Sequence, residues 1–159
     1  MYRKGISALI INQKNEFLLV NLESFEEKYF AVPGGGVEPG ESLEDTVYRE
    51  MHEELNIKKE FLRLVGRSEV PLRFKFKTIK LNRNGQEYEG SERYFFGLRF
   101  IGNKNEIKPL VGEVRTYKWV SFARLKDYLL FDNQLRETLE KIAEIFPEKF
   151  RQRTNSVES

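Results

Sequence analysis

Three carboxylates crowd the segment Gly35–Ile57, GGVEPGESLEDTVYREMHEELNI: Glu50, Glu53 and Glu54. At about 100° per residue they share one arc of a helix, since positions three and four apart are surface neighbours. Like charges at that spacing cost on the order of a few tenths of a kcal/mol per pair. They also fall in the second half of the helix, where the macrodipole disfavours negative charge. A hard divalent cation bound by carboxylate oxygen would remove both penalties. The plain alternative is a solvated acidic face.

Several elements must place those carboxylates. Leu43, Val47, Met51 and Leu55 form a separate apolar stripe that turns the helix toward a core. Ser42 is the expected N-cap, with Asp45 in the capping-box position, and Asn56 stands where the helix should end, in the left-handed region. The loop Pro33-Gly34-Gly35-Gly36 brings backbone carbonyls toward the same ion, and its glycines predict unusual backbone angles. Glu41 at the helix entrance and Arg49 two turns on are placed to tie loop to helix.

Composition narrows the chemistry further. The 159 residues include no cysteine and one histidine, His52. A disulfide framework, a thiol nucleophile and a Cys/His zinc site are excluded. Nothing around His52 suggests a nucleophile elbow, and an exposed role is expected for it. The 27 basic and 25 acidic side chains nearly cancel. No global basic field for DNA results. The balance hides a segregation: Val37–Ile57 holds seven acids and one base, Arg63–Arg83 seven bases and one acid.

The rest of the chain reads mainly as strands. Ile6–Ile11 and Phe17–Val20 flank a turn at Asn12–Asn15. The first run is too short for a signal-peptide core or a membrane span, so no membrane association is expected and a cytoplasmic protein is the default. Leu62–Val70 reads as a strand ended by Pro71, and Arg73–Lys77 alternates charge with aromatic, placing Phe74 and Phe76 on a core face. Asn84-Gly85 reads as a hairpin turn, and Arg93–Phe100 and Thr116–Val120 as strands. A helix is expected over Asn133–Phe146, ended by Pro147. One domain over 1–147 and a polar, mobile tail over 148–159 complete the reading. Few, separated helices fit a mixed sheet packed between helices.

The glycine-to-helix segment resembles the Nudix box, G-x5-E-x7-R-E-U-x-E-E-x-G-U, with U a bulky aliphatic. Gly35, Glu41, Arg49, Glu50, Met51, Glu53, Glu54 and Ile57 fill their places, and Asn56 replaces the second glycine. The resemblance implies an α/β (α+β) fold, an α/β/α sandwich with a mixed sheet between helices. It implies a hydrolase that breaks a pyrophosphate linkage in a nucleoside diphosphate linked to another moiety, using Mg²⁺ or Mn²⁺. Glu50, Glu53 and Glu54, with the Gly35 carbonyl, would be metal ligands, and Glu41 and Arg49 structural. The general base would be Glu50 or Glu113, which stands before Trp119 in EVRTYKWVS.

Tyr2-Arg3, TYKWVS and the helix after Phe131 are similar to the branch acting on dinucleoside polyphosphates and RNA 5′ ends. That branch usually carries Trp-x-x-Pro-Gln-Gly-Gly, where this chain has Phe30-Ala31-Val32-Pro33-Gly34-Gly35. The general Pro-Gly-Gly form keeps nucleoside triphosphates and nucleotide sugars as alternatives, beside a non-catalytic nucleotide sensor. Expected substrate contacts are phosphate from Arg3, Arg73, Lys75 and Lys77, and base stacking by Phe30, Tyr94 and Phe131. A small nucleotide substrate, with an RNA 5′ end as an option, and a monomer or homodimer complete the expectation.

Overall fold

The run Ile6–Ile11 is buried at every position because its strand lies inside the sheet and is covered on both faces. In the computed structural model, which describes residues 1–81 and 85–150, this strand is β1 (Tyr2–Ile11). It is followed by β2 (Phe17–Leu22), β3 (Gly34–Gly36), α1 (Leu43–Leu55), β4 (Leu62–Arg67), β5 (Leu72–Leu81), β6 (Glu87–Phe100), β7 (Val114–Val120) and α2 (Gln134–Ile145). The sheet runs β4-β6-β1-β2-β7, with β3 also on β1 and β5 also on β6. β1 and β6 are parallel and the other pairs antiparallel, so the sheet is mixed.

Side-chain alternation along β1 builds two cores. Ile6, Ala8 and Ile10 pack in a cluster that includes Val47, Met51 and Leu55 of α1. Leu9 and Ile11 pack in another that includes Ile142 and Ile145 of α2, with Phe146 just beyond it. The sheet is therefore held between helices, as the expected α/β/α sandwich requires.

Four details differ from the sequence expectation. The glycines of the Pro33–Gly36 stretch are not in the positive-φ region; only Gly40, Gly85 and Gly112 among the described glycines are. They form β3, pairing Gly34, Gly35 and Gly36 with Ser7, Ile6 and Gly5. What demands glycine there is space. A Cβ on Gly34 would lie 2.1 Å from the Ile6 carbonyl oxygen, and one on Gly35 the same distance from Glu50 Cδ.

β4 stops at Arg67, short of Val70, because the Glu69 N–H turns to the Glu144 carboxylate of α2 (2.9 Å). β5 is hydrogen-bonded only to β6, so Phe74 is 63% exposed and meets Phe76 instead of a core. The chain after Pro147 turns back and seats Phe150, 7% exposed, against Phe17, Phe122 and Phe146. The remainder of the expected tail lies outside the described residues, as do Arg83 and Asn84 of the expected hairpin turn; Gly85 has the positive φ (78°) such a turn uses.

Candidate active site

The acidic helix is built from both ends. Ser42 caps α1 by accepting the Asp45 N–H at 3.1 Å. Asn56 ends it in the left-handed region, φ 57°, its N–H donating to the His52 carbonyl. Val47, Met51 and Leu55 are fully buried, which fixes the rotation of the helix and turns Glu50 and Glu54 inward along the sheet edge. Glu53 and His52 remain exposed.

Arg49 joins helix to loop. Its Nε and Nη2 donate to the two Glu41 carboxylate oxygens at 2.7 and 2.9 Å, and Nη2 also donates to the Gly36 carbonyl at 2.8 Å. Thr46 Oγ1 donates to the same Glu41 at 2.7 Å. Those bonds hold the Glu41 carboxyl down at about pH 2 for half-protonation, Arg49 being the largest cause. β3 is thereby clamped against α1, and Gly35 lies flush with the Glu50 carboxylate.

The carboxylates behind that clamp repel one another. Burial first, then the charge of Glu50 and a hydrogen bond with it, push the Glu54 pKa up to about 8, with Glu113 and Glu53 adding to the rise. Burial also raises Glu50 above the usual carboxylate range, against the pull of Arg49. Glu113 sits in a turn at the head of β7. Its loop is bound to the end of α1 by the main chain: the Lys108 and Leu110 N–H groups each donate 2.8 Å bonds, to the Leu55 and Glu54 carbonyls. That is why an exposed loop glutamate reaches the field of Glu54.

Among the described residues, no three acidic or histidine side chains already converge as a metal cage. The guanidinium of Arg49 stands between two of the glutamates, with Nη1 at 2.9 Å from Glu50 and 3.2 Å from Glu53. A cation already satisfies them in this arrangement. The donor set, hard carboxylate oxygens with a raised pKa and a glycine backbone alongside, fits a hard divalent ion.

Two cavities open beside this cluster. One, of about 350 Å³, is largely apolar and runs from Gly34, Gly35 and Glu54 past Phe95 to Gln134 at the start of α2. The other, of about 430 Å³, is lined by Arg3, Gly36, Phe76, Lys80 and Tyr88 between β3 and the β5–β6 pair. Gly35 and Arg93 line both.

The expected substrate contacts divide accordingly. Arg3 reaches the second cavity, but Arg73, Lys75 and Lys77 do not line it. Arg73 is paired with Glu92 and lies over the Tyr2 ring. The register shift between Lys75 and Lys80 brings Lys80 to the cavity instead. Phe30, expected to stack on a base, is a core residue, 4% exposed and edge-on to Tyr128. Tyr94 packs against the α1-side core. Phe131 is stacked on Tyr29 (4.4 Å between centroids), and its neighbour Asp132 lines the first cavity. Arg93 was not singled out from the sequence, where it looks like one more charge in a β-rich run; only the sheet register carries it to the site.

Comparison with known proteins agrees with this geometry. The NUDIX domain model matches residues 1–142. The chain is 28% identical over 149 residues to a protein named RNA pyrophosphohydrolase from Pelagibacter ubique (strain HTCC1062), covering 90% of this chain and 92% of that one. A protein of the same name from Ruthia magnifica subsp. Calyptogena magnifica is 27% identical over 145 residues, 88% of this chain and 80% of its own. Among solved structures, the MutT protein from Methanosarcina mazei Go1 superposes with a TM-score of 0.65 at 24% identity, covering 94% of this chain and 96% of that one. An Ap4A hydrolase from C. elegans gives 0.64 at 19% identity, covering 91% and 98%.

The chain belongs to the NUDIX family. It is a hydrolase acting on pyrophosphate bonds, a class whose members generally use a divalent metal ion. Among the described residues, no helix is long and apolar enough to cross a membrane.

Proposed function

We propose that this chain hydrolyses the 5′-polyphosphate of a nucleotide, with dinucleoside polyphosphates and triphosphorylated RNA 5′ ends as its substrates. The observation that carries this reading is the meeting of two cavities at Gly35 and Arg93, beside the carboxylate cluster: one largely apolar, touching Glu54 and large enough for a nucleoside, one lined by Arg3, Lys80 and Arg93. The two relatives named RNA pyrophosphohydrolase support the same choice.

In this reading Glu50, Glu53 and Glu54, with the Gly35 carbonyl, hold Mg²⁺ or Mn²⁺. When bound, the ion neutralises phosphate charge and lowers the pKa of a coordinated water. Glu41 and Arg49 keep the Gly35 backbone against the helix so that carbonyl and carboxylates face one volume. Glu113, near Glu54 yet open to solvent, accepts the proton of the water that attacks phosphorus; Glu50 is the alternative base. The P–O bond of the anhydride breaks and the leaving phosphate carries away the electron pair.

Incubation with Mg²⁺ and a panel of diadenosine tetraphosphate, triphosphorylated RNA, nucleoside triphosphates and nucleotide sugars tests the reading by its products. Turnover of the first two is expected. Turnover confined to nucleotide sugars or free triphosphates would refute the substrate assignment, and no turnover at all would favour a nucleotide sensor. Glu113→Gln and Glu50→Gln, compared at saturating metal, separate the two candidate bases.

A further inference from the structure

β2 and β7 lose register beside the first cavity, which Leu22 lines. Asn21 pairs with Thr116 and Leu22 with Val114, so Arg115 is the extra residue of a bulge. A bulge re-aims the side chain it carries. Here the Arg115 guanidinium turns onto residues 23–29, the loop that follows β2. Nη1 donates to Asn21 Oδ1 and to the Phe25 carbonyl (3.2 Å), and Nη2 donates to the Glu23 carbonyl (3.3 Å). Asn21 completes the grip. It is buried, and its Nδ2 donates to the Glu26 and Tyr29 carbonyls at 2.9 and 2.6 Å.

Two side chains therefore hold four main-chain carbonyls of one loop. The loop reads ESFEEKY and has little apolar surface to bury, so bonds to its backbone decide where it sits. Its aromatic rings face the site. Phe25 lines the first cavity and meets Phe131 edge-on at 5.1 Å between centroids, while Phe131 stacks on Tyr29. None of these three rings belongs to either core cluster. Their placement comes from the polar grip and not from core packing. Glu113 lies just before the bulge, and its carbonyl accepts the Glu23 N–H at 2.9 Å. The Glu113 turn has its own main-chain bonds to α1, from Lys108 and Leu110, so loss of Arg115 frees the loop without freeing Glu113.

We propose that Arg115 is a positioning residue for the nucleoside: by holding the loop of residues 23–29 it sets Phe25 against that part of the substrate. It adds affinity for the nucleoside and takes no part in the chemistry at phosphorus. This role rests on the reading that the first cavity takes the nucleoside.

Calorimetric titration of the full chain in EDTA, with diadenosine tetraphosphate and with inorganic tripolyphosphate, separates nucleoside from phosphate binding without turnover. Wild type should bind the first more tightly. Arg115→Gln should weaken that binding by roughly tenfold, the scale of a lost charge-assisted hydrogen bond, and leave tripolyphosphate unchanged. Phe25→Ala should show the same selective loss. The double variant should lose no more than Phe25→Ala alone, because both changes act through one contact. In steady-state assays KM should rise and kcat stay within about twofold. Arg115 is exposed as a residue, and thermal unfolding checks the fold of each variant. If Arg115→Gln does not fold, Arg115→Lys, which keeps the charge and loses the fork, carries the test with a smaller loss. The role is refuted if wild type binds the two compounds equally, if the folded variant binds diadenosine tetraphosphate as tightly as wild type, or if it loses both compounds alike. Selective loss joined to turnover of nucleotide sugars alone would sustain it and overturn only the substrate reading.

Discussion

At the residue scale, the site depends on a few atoms without alternatives. Gly35 shows this best: a single methyl there would strike the Glu50 carboxyl, so Gly35→Ala must displace the carboxylate that the proposed chemistry needs. We expect Gly35→Ala to lower kcat far more than it lowers the melting temperature, a split that parallel activity and unfolding assays would show. Glu53→Gln should lower kcat by about 100-fold or more with the fold intact, since Glu53 is exposed and supports no core. Near wild-type activity of that variant would remove Glu53 from the metal site.

Glu41 gives a pH prediction with a definite sign. Its carboxyl titrates at about 2 in the folded chain against an ordinary 4.5. A depressed carboxylate stabilises the fold above its unfolded pKa, and that contribution disappears as pH falls from about 4.5 toward 2. Denaturation curves of wild type and Glu41→Gln should therefore differ at pH 7 and converge toward pH 2. Curves equally far apart at both ends would show that the ion pair with Arg49 does not set the difference.

At the scale of elements, α1 was legible because every local signal agreed: an apolar stripe, a capping serine, and asparagine where the helix turns left-handed. Ser42→Ala should cost about 1 kcal/mol, the value of an N-cap. Asn56→Gly should stabilise by about 0.5–1 kcal/mol by relieving the left-handed backbone, while Asn56→Ala destabilises, both measurable by urea denaturation. β3 was not legible as a strand. Three glycines carry no strand pattern, and only pairing with β1, distant in sequence, makes them one. β5 was read correctly as alternating, but alternation cannot reveal a register shift or an outer edge. Those decided that Lys80, not Lys75 or Lys77, reaches the second cavity and that Phe74 meets solvent.

At the scale of the molecule, the two helices cover opposite faces of one sheet, and the C-terminal turn completes the second core. Phe150 closes a cluster with Phe17, Phe122 and Phe146. Ending the chain at Pro147 should therefore lower stability by about 1.5–3 kcal/mol, the worth of a buried aromatic, while leaving the carboxylate cluster on the other face in place. A chain so shortened that unfolds at the wild-type midpoint would show Phe150 to be a passive cover. The meeting of Arg93, Arg3 and Gly35 is legible only at this scale, because it comes from the pairing of β1 with both β6 and β3.

The two main-chain bonds from Lys108 and Leu110 to the end of α1 act as a ruler between Glu113 and the helix glutamates. A ruler made of backbone is indifferent to the side chains that ride on it. Exposed positions such as Lys108, Leu110 and Val111 can change and still leave Glu113 at the same height, whereas Ile107 is buried in the core and Gly112 holds a positive φ of 95°. Proline at a donor position breaks the scale: Leu110→Pro removes the N–H that marks it and should uncouple Glu113 from the helix, where Leu110→Ala leaves the rate almost unchanged. The spacing between Glu113 and the helix glutamates is thus set by the main chain and not by the exposed side chains that it carries.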